Sequence, residues 1–464
     1  MACGFTSHAV TSSIVEQQAS ADRMIATLGE GQSASDSIRI LYDAFDLAPM
    51  QSKSGVAWKI LDIAKRTGDD ESQADILRQL SVLEVRDRNV IDRLVSMTSN
   101  IKDEPLRKRV ELFVNVQKAL GEARYLEGEE RMKVLMEYVK EDLTPKQDIY
   151  QDILDLYRVV IFIRHTTTGN MYLEYLGRLE KLINECPEEI PFLKSLFYTT
   201  AATYYSSIDF QEKAVECDRK LLEIIKNLEK HYKDVGRKYR NYDRNYYICY
   251  RRMLSNYEVL DMDEVKELYS KCAMLAEKDQ EIGESFEVDP RPTAYRLLVD
   301  KDYSGALPYL RKVVDNATNE GVRNRALLRL IEVADSANDH VSKLKALEDY
   351  NDVLIESRKQ KSEDAYVELQ MRYNVNQLKS AMATMEVEKK NLELATNQKI
   401  ISVTLIALFL LAIGLMYLYR SHFRLLNKTR GLEAENKKLE TTIEELLDDG
   451  SPQGSTDLRN YKKG

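Results

Sequence analysis

The sequence predicts an all-α protein: a helical-repeat solenoid, then a long helix, one transmembrane helix and a short coiled coil. Three observations predict it. Glycine (18) and proline (9) are scarce while charged residues make up 31% of 464, the profile of long helices with short connections. Apolar residues recur with helical spacing through residues 20–356, broken by short polar stretches. Residues 400–419, IISVTLIALFLLAIGLMYLY, then run twenty positions without a charge, between Lys399 and Arg420.

At the amino terminus, residues 1–19 form a polar segment. Met1-Ala2-Cys3-Gly4 shows neither a basic nor an apolar leader. Ala-Cys-Gly followed by a Ser/Thr/Gln-rich stretch resembles the cleavage junction of a bacterial lipoprotein. The resemblance implies a start further upstream and a lipid on Cys3; the alternative is a chance match. The other cysteines, Cys186, Cys217, Cys249 and Cys272, form no C-x-x-C pair, so neither a zinc site nor a disulfide framework is indicated. Cys217, Cys249 and Cys272 fall in apolar helical patterns and read as small buried hydrophobes. No metal or cofactor is expected.

Residues 20–356 read as successive helices with a shared spacing. Tyr303 is followed by Ala306, Leu310 and Val313, and Met262 by Val265, Tyr269 and Cys272. Offsets of three, seven and ten put each set on one helix face. An apolar helix precedes each set. With Ala201 and Tyr204 before the turn at Asp209-Phe210, the arrangement resembles the tetratricopeptide repeat, a helix–turn–helix unit. Weaker units run from Ala57 through Gly68-Asp69 to Ala74 and Leu77, and from Ala326 through Asn338-Asp339 to Ala346 and Tyr350. The match slips at Lys213, where a small residue is expected and Ala214 follows one place late. The resemblance implies a tetratricopeptide-like domain that binds a peptide or protein.

Residues 357–399 predict a membrane-proximal helix or weak coiled coil. Its Met371, Leu378, Met385 and Leu392 recur every seven positions, with Val375 and Met382 as companions. Residues 400–419 follow as the membrane span, about 30 Å of helix at 1.5 Å per residue. In residues 420–447, Leu425, Leu432, Leu439 and Leu446 recur every seven positions as d, placing Thr429, Asn436 and Ile443 at a. A lone Asn at a between d leucines favours a parallel two-stranded coil, hence a homodimer. Lys428 can meet Glu433 of a second chain, but Glu435 would face Glu440. The alternative is one amphipathic helix on the membrane surface. Residues 448–464 read as a flexible tail.

No phosphate loop, dinucleotide fingerprint or H-E-x-x-H motif occurs, so no enzyme is expected. The histidines are His8, His165, His231, His340 and His422. His422 sits beyond the span but lacks the acidic residue and proline of a phosphoacceptor box. A net charge of −9 argues against nucleic acid as a partner. Residues 232–252 interleave tyrosines with Lys and Arg. The spacing of Tyr246, Tyr247 and Tyr250 favours packing between helices, but Tyr247, Tyr250 and Arg251 stand as candidates to touch a ligand on a concave face.

Within about twenty residues of the span, Lys389, Lys390 and Lys399 precede it, while Arg420, Arg424, Lys428, Arg430, Lys437 and Lys438 follow. The basic excess places the coiled coil in the cytoplasm and the repeats outside. This order of parts resembles the sensor half of bacterial tetratricopeptide-repeat membrane sensor histidine kinases, with the kinase region absent. It implies a kinase-less relative or fragment in a bacterial inner membrane that binds a partner outside and signals inward. The alternative is a membrane-anchored scaffold that transmits nothing.

Overall fold

The structure, a computed structural model, describes residues 4–448 except 30–31, 145, 147, 165–169, 187–189, 209 and 318–319; side chains are described from 15 to 445, with 320–321 and 356–364 also excepted. Cys3, His165, Asp209, the side chain of Leu446 and the tail after residue 448 therefore lie outside the described residues. Every regular element described is helical: α1 (Gly4–Ala26), α2 (Ala34–Leu47), α3 (Met50–Thr67), α4 (Asp70–Leu83), α5 (Arg88–Met97), α6 (Glu104–Tyr125), α7 (Gly128–Leu143), α8 (Ile149–Arg164), α9 (Asn170–Glu185), α10 (Pro191–Ser207), α11 (Gln211–Asp234), α12 (Asp243–Leu254), α13 (Met262–Lys278), α14 (Gln280–Val288), α15 (Arg291–Val299), α16 (Tyr303–Asp315), α17 (Glu320–Ser336) and α18 (His340–Asp448). Helix α1 takes in the described part of the polar amino-terminal segment, and its Ala21 is buried.

One local device ends a helix and starts the next at several joints. Gly68, Lys301 and Asn338 adopt φ of 69°, 60° and 57°, the left-handed turn that closes a helix C-terminus. An aspartate follows each, and its N–H donates five residues back: Asp69 to Ala64, Asp302 to Leu297 and Asp339 to Ala334. Each aspartate then caps the next helix, accepting from the N–H of Ser72, Gly305 or Ser342. Two of the three joints are turns that the sequence marked.

The chain divides into two units, Met1–Leu378 and Lys379–Gly464. In the first, contacts run mainly between neighbours in sequence, while α6 packs on both α4 and α8, and α15 on both α12 and α13. Ala306, Leu310 and Val313 pack with Leu327 and Leu330 in one apolar cluster; Val265 and Cys272 pack with Leu254 and Tyr247 in another. Tyr269 lies half-buried at the edge of the second cluster.

The first unit reaches past residue 356. Met371 and Val375 on α18 are 0% and 5% exposed and join the largest cluster, with Leu378 packed against it. Glu368 accepts the N–H of Met171 at 3.2 Å, an anion at the start of α9, and Arg372 pairs with Glu174 at 3.6 Å. The heptad positions Met371 and Leu378 are thus packed within the chain instead of forming a coiled-coil seam.

A buried ion cluster closes contacts far apart in sequence. After α11 the chain turns at Gly236 (φ 85°) and drives Arg237 inward. Its Nε and Nη2 donate to Asp46 at 2.8 and 2.7 Å, and its Nη1 to Asp75 at 3.1 Å. The guanidinium lies 3.9 Å from the ring centre of Tyr42, and the Tyr232 hydroxyl donates to Asp75. Tyr232 and Arg237, prominent in the Tyr/Arg segment, are therefore core elements holding the α11–α12 connection to α2 and α4.

In the second unit the described chain is helix α18. It includes one stretch long and apolar enough to cross a membrane, none of it buried. Ile400, Phe409 and Leu418 are 58%, 68% and 65% exposed, which water does not favour over a whole helix surface. Within it the Ser402 hydroxyl donates to the carbonyl of Gln398 and the Thr404 hydroxyl to that of Ile400.

Candidate partner-binding groove

Helices α10, α12, α15 and α17 of the first unit enclose a groove of about 400 Å³. Arg251 and Arg252 come from the last turn of α12, Arg291 from the start of α15, and Arg325 and Arg329 from one face of α17, four residues apart. These five arginines line the groove, and no described carboxylate does. Thr199, Thr203 and Ser207 of α10 line it as well. A second cavity of about 360 Å³ adjoins it and shares Arg251, Arg291, Val313 and Val322.

The carboxylates that orient these arginines stand mostly behind them. Asp218, fully buried on α11, accepts from Arg252 Nε at 2.9 and 2.8 Å, while Arg252 Nη1 donates to Thr203 Oγ1 at 3.1 Å. Asp289 accepts from Arg291 Nε and Nη2, both at 2.7 Å, and meets Arg251 Nη1 at 3.3 Å. One anion thus serves two cations. Glu258 pairs with Arg329, which also donates to the Tyr257 hydroxyl. Burial works against the charged form of Asp289, but Arg291 and Arg251 outweigh it and hold the carboxyl below its usual range. Burial likewise opposes the charge on Arg291 and Arg329, and their carboxylate partners overcome it.

The expected ligand residues fall in three different settings. Tyr247 is 2% exposed and packs with Val215, Met253 and Leu268, so it belongs to the core and does not line the groove. Tyr250 is half-buried, its ring stacked on Tyr246 at 6.1 Å with Lys271 over it. Arg251 alone of the three lines the groove. Arg291, Arg325 and Arg329 were not singled out from the sequence; the spacing of Arg325 and Arg329 was the available signal. On α18, Leu425, Leu432 and Leu439 are 62%, 60% and 59% exposed, Ile443 is 53% exposed and Asn436 is exposed. Among the described residues no His/Cys/Asp/Glu group could hold a metal ion. The chain matches no protein-family model and no curated protein.

Proposed function

We propose that this is a membrane-anchored, tetratricopeptide-like interaction protein that binds a peptide or protein segment outside the cytoplasm of a bacterial cell. On this reading residues 400–419 cross the inner membrane once, and residues 425–446 pair with a second copy in the cytoplasm. The observation that carries the proposal is the groove of five arginines in a chain of net charge −9, a local sorting of charge that packing does not require. The basic excess after residue 419 supports the orientation.

Helix α10 favours transmission over a passive scaffold. Thr203 and Ser207 face the groove, whereas Tyr204 of the same helix meets the ring of Tyr172 at 4.3 Å, in the cluster that holds Met371 of α18. A partner seated in the groove therefore touches a helix whose Tyr204 reaches Tyr172 of α9, the helix that Glu368 and Arg372 of α18 contact. The test is a photo-crosslinking side chain at Ser207 in native membranes, compared with one at Arg86 away from the groove. The expected result is one discrete adduct from Ser207 only. Absence of an adduct at Ser207, or the same adduct from both positions, contradicts docking in the groove.

A further inference from the structure

We infer that the segment seated in this groove is an extended acidic peptide, read by its carboxylates against the guanidinium face of α12, α15 and α17. The inference rests on the docking reading above and names the chemistry of the partner. Asp218 is 0% exposed and fixes Arg252 without lining either cavity, while Asp289, 9% exposed, lines only the smaller one, where it lies between Arg251 and Arg291. Asp289 neutralises only one of the two arginines it touches, leaving a positive excess beside Arg251 and Arg291. An arginine has five N–H donors, and Arg291 spends Nε and Nη2 on Asp289, leaving Nη1 without an acceptor among the described residues. Carboxylates arriving from the groove complete that valence with charge-assisted bonds.

Shape selects a peptide over a small anion. The two adjoining cavities, about 400 and 360 Å³, share a wall at Arg251 and Arg291 and so form one elongated channel. Val313, Val322 and Ala326 supply apolar lining, and Thr199 and Thr203 edge the larger cavity. Nucleic acid lacks a stacking platform here, because Tyr295 on the wall is already stacked on Tyr257 at 4.9 Å.

The test is fluorescence polarisation of the full chain in lipid nanodiscs with labelled octaglutamate and octaglutamine, and inorganic phosphate as competitor. Octaglutamate should bind, lose affinity as salt rises, and exceed octaglutamine by at least about tenfold, the worth of one charge-assisted contact. Arg325→Gln should weaken it by a similar factor. Ser207→Glu, which puts a carboxylate at the groove wall without removing a buried partner, should do the same if Arg325→Gln fails to fold. Arg86→Gln should leave binding unchanged. Equal binding of octaglutamine overturns the acidic chemistry while leaving docking intact, since docking is read separately from the Ser207 crosslink. Octaglutamate binding that ignores both groove variants, displacement by equimolar phosphate, or no binding of octaglutamate each overturns the inference.

Discussion

At the scale of single residues, Arg237 shows why charge patterns are hard to interpret without a structure. In the sequence it is one cation in a Tyr/Arg stretch whose tyrosine spacing pointed to packing but gave its arginines no partner. Its partners Asp46 and Asp75 stand more than 150 residues away, so no local spacing announces them. Ala306 and Leu310, by contrast, were legible because their burial follows from helical offsets alone. Removing one member of a buried pair strands the other, so Arg237→Ala should destabilise the protein by about 3–5 kcal/mol in chemical unfolding. A loss within measurement error would show that Asp46 and Asp75 find other partners. The same cluster sets an acid limit. Burial alone would raise the carboxyl of Asp75, but Arg237, Arg78 and Arg240 hold it below its usual 3.8. Its stabilising effect is therefore complete above the unfolded value and is lost as pH falls through the lower folded one. Melting temperature should decline more steeply below about pH 4 in the natural chain than in Asp75→Asn. Parallel curves would exclude Asp75 as a source of the acid loss.

At the scale of helices, local chemistry was the most readable part. Gly68-Asp69 and Asn338-Asp339 mark joints because a left-handed residue closes one helix and the aspartate caps the next. The same device at Lys301-Asp302 uses a residue that tolerates positive φ poorly, so no turn was marked there. Close helix approach was not readable at all. Gly121 on α6 lies so near the carbonyl of Val85 that a β-carbon there would collide with it. Gly121→Ala should cost about 1–3 kcal/mol as overpacking does. Gly55→Ala on α3, with open space around it, should gain about 0.5–1 kcal/mol from helix propensity. Thermal melting of the two variants checks the contrast, and shifts of the same sign would contradict it. The heptad of α18 was legible as a period but not as a partner choice, because Met371 turns inward to the array while Leu425 and Leu432 remain uncovered. If the later stretch pairs in parallel, disulfide crosslinking in membranes should join Asn436→Cys readily and Lys437→Cys poorly. Equal yields would favour a lone helix on the membrane surface.

At the scale of the whole molecule, the proposed topology has the helical array and the residue 425–446 helix on opposite sides of one membrane. The apolar stretch was plain in the sequence because length and absence of charge suffice to find it. The groove was not, because it assembles side chains from α10, α12, α15 and α17, elements that sequence periodicity can outline but cannot bring together. The buried state of Cys186, Cys217, Cys249 and Cys272 makes sidedness directly measurable, since a polar thiol reagent will not reach them in the folded chain. With Cys3 replaced by serine, single cysteines can be placed at exposed Glu212 on α11 and at exposed Lys437 on α18. Membrane-impermeant maleimide applied to intact cells should label Glu212→Cys at once and Lys437→Cys only after the membrane is opened. Labelling of both positions from the same side would contradict the proposed single crossing.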